Sequence, residues 1–274
     1  MLERFTYTNN FNETLEFGNG KLFVNENELH NFKWTAKSKN DRISEFKKGI
    51  VSKTIPIILK VDTVEEGVKL RNKLFEVFEK DVLAVKHGKI IIGDYYMKCF
   101  VVESKKTDYL MDKGYMKLSV KVQTDFPYWV KETTTKFNFG GDVSEGKNLD
   151  YNRDHPYDYT SNMLGTTLNN TGFVPANFIM RIYGPCINPC VTIGGHDYEV
   201  AVSVAGYEYL TIDSVNKTIV LTHTDGTTDN CFKQRNRDSY IFEKMPVGVS
   251  NATSSSDFGF EVTLLEERGE PKWT

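Results

Sequence analysis

Only one segment of the 274-residue chain carries helical periodicity, while most other apolar runs are short or alternate with period two. The helical segment starts near Thr63, where Thr63-Val64-Glu65-Glu66 reads as a capping box ahead of Gly67 to Phe78. At about 100° per residue, Val64, Val68, Leu70, Leu74, Phe75, Val77 and Phe78 share one broad face. Glu65, Lys69, Asn72, Lys73, Glu76 and Lys80 share the other, so the spacing predicts one amphipathic helix over about 63–80 covering a sheet face. Arg71 projects into the apolar sector, read as a packed stem with its guanidinium at the rim or as an intersubunit ion pair.

The rest predicts strands. Lys21 to Val24, Thr54 to Val61, Lys89 to Ile92, Tyr95 to Glu103 and Tyr115 to Thr124 form a meander, the last alternating Met116, Leu118, Val120 and Val122. His87-Gly88, Gly93-Asp94 and Met111-Asp112-Lys113-Gly114 punctuate it. Between Trp34 and Ile50 lies a charged stretch that keeps the apolar anchors Trp34, Ile43, Phe46 and Ile50; it reads as an extended arm or hairpin. From Gly140 to Gly172 the composition turns to Gly, Asp, Asn, Tyr and Thr. Structureless stretches beyond about 15 residues usually carry function or join units. Past it, Asn177 to Tyr183, Cys190 to Ile193, Tyr198 to Val204, Tyr207 to Ile212, Lys217 to Thr222, Tyr240 to Phe242 and Phe258 to Leu264 have the spacing of a β-sandwich. The expectation is a mainly β chain with an N-terminal domain at 1–133 and a C-terminal sandwich at 134–274.

Composition narrows the function classes. Lys plus Arg is 34 against 37 Asp plus Glu, a net charge of -3, which disfavours a basic nucleic-acid binder. An aromatic content of 13% favours pleated half-buried surfaces and large interfaces. The first residues alternate charged and apolar, so no secretory signal is read there, and the four cysteines are expected to be reduced thiols. No membrane insertion is expected.

No motif for chemistry survives inspection. Cys186 and Cys190 lack a second ligand pair nearby in sequence; Cys231 and His196 are the residues that could complete a metal site in space, but no metal or cofactor is expected. His155 and His196 lie beside Asp154 and Asp197, yet Gly195-His196-Asp197 and His223-Thr224-Asp225-Gly226 are turn compositions. The serine-elbow, zinc-protease and phosphate-loop signatures are absent, and Gly18-Asn19-Gly20 lacks the third glycine of a dinucleotide fingerprint. Glu65 and Glu66 suit a helix N-terminus, and Glu266 and Glu267 a solvated strand end, better than a glycosidase pair. Tyr151, Tyr157 and Tyr159 in the long connection suit a docking surface.

In the N-terminal half the order of elements is an early strand pair, a polar arm, one helix and a meander closing at Thr124-Asp125-Phe126-Pro127-Tyr128-Trp129. In the C-terminal half stand Tyr157-Asp158-Tyr159, Asn169-Asn170-Thr171-Gly172, Ile182-Tyr183-Gly184-Pro185 with Asn188-Pro189, Leu210-Thr211-Ile212-Asp213 and Glu266-Glu267-Arg268-Gly269-Glu270-Pro271-Lys272-Trp273. In this order and wording the whole chain resembles the distal tail protein family of siphophages, or of phage-derived tail particles, from Gram-positive hosts.

The resemblance implies a homohexameric ring at the tail tip, assembled in the host cytoplasm and carried in the virion, with a galectin-like C-terminal β-sandwich. The implied partners are the chain itself, the tail tube protein, the tape measure protein, a tail-associated hub or fibre protein and a receptor-binding protein. The arm at about 34–50 resembles the family's belt, which makes Trp34, Arg42, Ile43, Phe46, Ile50 and Arg71 candidates for a subunit interface. The expected role is structural and non-enzymatic. The rival readings are a monomeric carbohydrate-binding sandwich and a cell-wall hydrolase using His155 or His196 as base.

Overall fold

The computed structural model describes residues 4–18, 20–24, 26–137 apart from 111–114, and 167–273, without the side chains of 107–110. The chain is mainly β, with one α-helix, in two compact units. The first comprises residues 1–131 and 267–274, the second 132–266.

In the first unit β1 (Phe5–Thr8), β2 (Thr14–Phe17), β3 (Leu22–Val24), the hairpin strands β4 (Thr35–Lys39) and β5 (Arg42–Lys47), and β6 (Val51–Lys60) precede the helix α1 (Val64–Ala84). After it come β7 (Gly88–Ile92), the long β8 (Tyr95–Leu110), β9 (Tyr115–Thr124) and the start of β10 (Trp129–Phe137). Among the described residues these strands pair antiparallel. The first part of β8 pairs with β7, Ile90 opposite Met97, and the later part with β9, Val101 opposite Val122, so one strand serves two ladders. β7 continues to β1 and β2, and β9 to β6 and β3. Alternation does the rest: Met116, Leu118, Val120 and Val122 point inward against Ile55, Ile57 and Leu59 of β6 in one buried cluster.

The helix begins as its composition dictates. Thr63 Oγ1 accepts the Glu66 N–H at 3.3 Å, and the Glu66 carboxylate accepts the N–H of Asp62 at 3.3 Å. It ends in left-handed backbone at Val85 (φ 52°), where the Val85 and Lys86 N–H groups bond the carbonyls of Val82 and Asp81. The buried face is narrower than the periodicity suggests. Leu74, Val77 and Phe78 are buried, but Phe75 is 60% and Val64 46% exposed, which corrects the expectation that both face the core. The reason is Asp81. Its fully buried carboxylate accepts from the Tyr7 hydroxyl at 2.5 Å and from the Asn10 N–H at 2.8 Å, which turns the helix toward β1 and away from Phe75.

In the second unit the strands are β11 (Thr167–Asn170), β12 (Asn177–Tyr183), β13 (Cys186–Ile187), β14 (Cys190–Ile193), β15 (His196–Glu199), β16 (Ser203–Val204), β17 (Tyr209–Asp213), β18 (Thr218–Thr222), β19 (Thr228–Asn230), β20 (Gly248–Ser254) and β21 (Phe260–Arg268). One sheet runs β19-β18-β17-β12-β21, the other β11-β20-β14-β15. Phe178, Met180, Ile212 and Val262 of the first share a buried cluster with Leu168, Val191, Ile193 and Ala252 of the second, the layout of a sandwich. Tyr240 to Phe242 is a turn rather than a strand, with Ile241 and Phe242 both buried. Gly248–Ser254, too polar to suggest a strand, is one, with only Ser250 and Ala252 buried.

Candidate assembly surface

The arm is a two-stranded hairpin, and every residue of both its strands is exposed. Asn40 and Asp41 close it with φ of 52° and 56°, a turn with positive φ at both central positions, which these two side chains tolerate better than most. Ala36 lies opposite Phe46 and Ser38 opposite Ile43, with the register shifting between Lys37 and Ser38. Residues directly opposite share a face. The shift therefore brings Ile43 and Phe46, three apart in sequence, to the same side as Ala36, while Lys37, Glu45, Lys39 and Arg42 occupy the other. The Ser44 hydroxyl donates to the Lys37 carbonyl at 3.1 Å at the irregularity.

This apolar side is open to solvent: Ile43 is 62% and Phe46 57% exposed, and Ile50 just beyond is 69% exposed. A lone hairpin is at best marginally stable in water. Its root is nevertheless fixed. Lys48 Nζ lies 4.6 Å from the Trp34 ring centroid and 4.2 Å from that of Tyr128, and donates to the Pro127 carbonyl at 3.1 Å. Burial pulls the Lys48 pKa down, with Glu267 opposing. Behind it, Lys53 donates to the carbonyls of Glu28 (2.8 Å), Leu29 (3.1 Å) and Asn31, binding the loop that leads into β4. Burial lowers its pKa to about 8.

The chain end completes the root. Trp273 stacks on His30, and its Nε1–H donates to Glu270 at 2.7 Å. Gly269 lies so close to Lys48 that an added Cβ would sit 3.1 Å from Nζ. Lys48, Lys53, Tyr128, His30 and Trp273 are the surface's supporting residues, and none was a candidate from sequence. The aromatic-proline step and the terminal string were the available signals.

The remaining candidates fall elsewhere. Arg42 stands on the charged side of the hairpin tip, opposite Lys39. Arg71 is half-buried on α1. Tyr151, Tyr157, Tyr159 and His155 lie outside the described residues. His196 has Nε2 3.0 Å from the Tyr240 carbonyl and 3.2 Å from Ser239 Oγ, while the Asp197 carboxylate accepts from the Thr192 hydroxyl at 2.6 Å. Burial pushes the Cys186 thiol up to about 11 and the Cys190 thiol upward, which keeps both protonated near neutrality. Among the described residues no three His, Cys, Asp or Glu side chains converge as metal ligands, and no helix is long and apolar enough to cross a membrane.

No protein-family model matches the sequence, and no curated protein matches it either. Solved structures do. The fold is similar to that of a phage hub protein and of phage baseplate chains. It is similar to the Dit protein (gp 19.1) of SPP1, described as a paradigm of the hub adsorption apparatus in phages infecting Gram-positive hosts, with a TM-score of 0.61 at 11% identity over 96% of this chain and 99% of that one. A chain of the phage P2 baseplate in its activated conformation with Ca matches with a TM-score of 0.60 at 14% identity, covering 99% of this chain and 100% of that one. The p2 baseplate with Sr gives 0.59 at 13% identity, over 98% and 99%.

Proposed function

We propose that this chain is a non-enzymatic structural protein of the distal end of a phage tail. Copies of it close a hexameric ring that joins the tail tube to the tail tip and carries receptor-binding proteins, with the tape measure protein and a hub or fibre protein as further neighbours. The observation that carries this reading is the end-to-end likeness of fold, which spans both units rather than one common domain. The exposed hairpin supports it independently, since apolar side chains that nothing in the same copy covers are stabilised by burial between copies. Trp34, Ile43, Phe46 and Ile50 are the residues assigned to that interface, and the second unit, galectin-like in this reading, offers a docking platform.

Light scattering on a sizing column, with negative-stain images of the same peak, tests the proposal. A six-fold ring with an open lumen is expected. Trp34→Ala with Phe46→Ala should shift the protein toward monomer at a given concentration while its circular dichroism stays that of the parent. A monomer that gives reproducible hits on a glycan array would replace this reading with that of a carbohydrate-binding module.

A further inference from the structure

The first unit holds a cleft of about 260 Å³, its open mouth included. Buried Met97, Pro127 and Trp129 line its inner part, and exposed Phe32 and Lys33 its outer part. Gly269 contributes no side chain to the wall, and a Cβ there would stand 3.1 Å from Lys48 Nζ and 3.8 Å from Phe32. Four polar side chains along it, Lys33, Lys48, Lys53 and Trp129, can only donate. Trp129 is 1% exposed, and its Nε1–H has no acceptor among the described residues. A buried donor left in that state is costly.

Two ammonium groups share the cleft with this orphaned indole. The N–H groups of Lys53 are committed to the carbonyls of Glu28, Leu29 and Asn31, so Lys53 contributes charge alone. Lys48 donates to the Pro127 carbonyl and lies over the Trp34 and Tyr128 rings, which leaves it further N–H groups to give. Burial lowers the pKa of both lysines, and the opposing carboxylates of Glu28, Glu267 and Glu270 do not offset it. The site is thus rich in donors and short of negative charge.

We infer that this cleft binds a carboxylate, one oxygen accepting from the Trp129 indole N–H and the other from the Lys48 ammonium. Two donors from different side chains match the two oxygens of a carboxylate. A phosphate brings further oxygens that the committed N–H groups of Lys53 cannot meet, and a sugar hydroxyl needs acceptors that these four side chains lack. The apolar surfaces of Val51, Met97 and Phe32 suit the short aliphatic stem behind the charge. A free small carboxylate and an Asp or Glu side chain of a neighbouring chain share this chemistry. The inference does not depend on the ring reading.

The chain has three tryptophans, so labelling their indoles with nitrogen-15 gives three N–H signals, and Trp129→Phe identifies one of them. Sodium acetate is titrated into the dilute full chain, with sodium chloride at equal ionic strength as the control. The Trp129 signal is expected to move saturably with acetate. Lys48→Met, which keeps an apolar stem against Trp34 and Tyr128, should raise the half-saturating concentration about tenfold. A signal that acetate leaves in place, or that chloride moves as far, overturns the inference, and the parent protein decides this without any variant. Unchanged half-saturation in Lys48→Met overturns the assignment of the second donor. Repeating the titration on concentrated, assembled protein separates the sources. A side chain of a neighbouring chain displaces the signal on assembly and leaves acetate acting on the dilute chain alone, whereas a site for free carboxylates responds to acetate in both.

Discussion

The indole of Trp273 stacks on the imidazole of His30, their ring centroids 3.8 Å apart and their planes 18° from parallel. The pair ties the last residues of the chain to the loop that feeds the hairpin, 243 positions away in sequence. An aromatic pair of this kind contributes about 0.5–1.5 kcal/mol beyond its burial. Trp273→Ala should lower the stability of the first unit by about 1 kcal/mol in urea denaturation, and an unchanged midpoint would show that the stack holds nothing.

Asp81 is the polar centre of the helix–sheet contact, and it has no apolar substitute. Asp81→Ala strands the Tyr7 hydroxyl in a buried site and leaves the half-buried Asn10 N–H without this acceptor, at a cost of about 3 kcal/mol. Gly88 belongs to the same cluster, since a Cβ there would collide with the Asp81 carboxylate and the Tyr7 hydroxyl. Gly88→Ala should cost about 1–3 kcal/mol through overpacking. Equilibrium unfolding of each variant checks both figures, and a loss below about 0.5 kcal/mol in either would contradict this account.

Val85 terminates α1 in left-handed backbone, which a β-branched side chain disfavours, and it is 79% exposed with no burial to offset the strain. Glycine fits that position without a Cβ penalty. Val85→Gly should therefore raise stability, by about 1 kcal/mol, with assembly unaltered. A lower melting temperature for the variant would mean that Val85 makes a contact worth more than its strain.

His223 lies between two carboxylates, Glu208 at 2.7 Å and Asp229 at 3.1 Å. Their hydrogen bonds, that of Glu208 foremost, raise its pKa above the ordinary 6.5. A raised folded-state value means that the pair contributes fully below pH 6.5 and that the contribution is lost as pH rises through the folded value. The stability gap between the parent and His223→Gln should be present in full below pH 6.5 and should shrink as pH rises above it. A gap independent of pH would assign the effect to packing instead.

Much of this architecture was legible in one dimension. Period-two alternation from Tyr115 to Thr124 sufficed for β9, because a half-buried strand selects side chains two apart. Thr63 and Glu66 sufficed for the start of α1, because capping is satisfied within one turn. The anchors Trp34, Ile43, Phe46 and Ile50 were conspicuous as apolar residues in a charged run, and all four are exposed to a degree that their chemistry does not favour in water.

What the sequence by itself determined was thus the helix, the alternating strands and the uncovered arm, since these follow from neighbours a few residues apart, whereas the turn at Tyr240 to Phe242 and the strand Gly248–Ser254 did not show in it. Tertiary structure alone decided the rest. Ile43 and Phe46 share a face only because the register shifts between Lys37 and Ser38, an irregularity that pairing with the other strand defines. Phe75 is left outside because a buried Asp81 finds its donors at Tyr7 on β1 and at Asn10 just beyond it, and no local pattern announces a hydrogen bond across 74 positions. The terminal Trp273 returns to His30 for the same reason: side-chain stacking is specified by proximity in space, which the chain acquires only once its strands have paired.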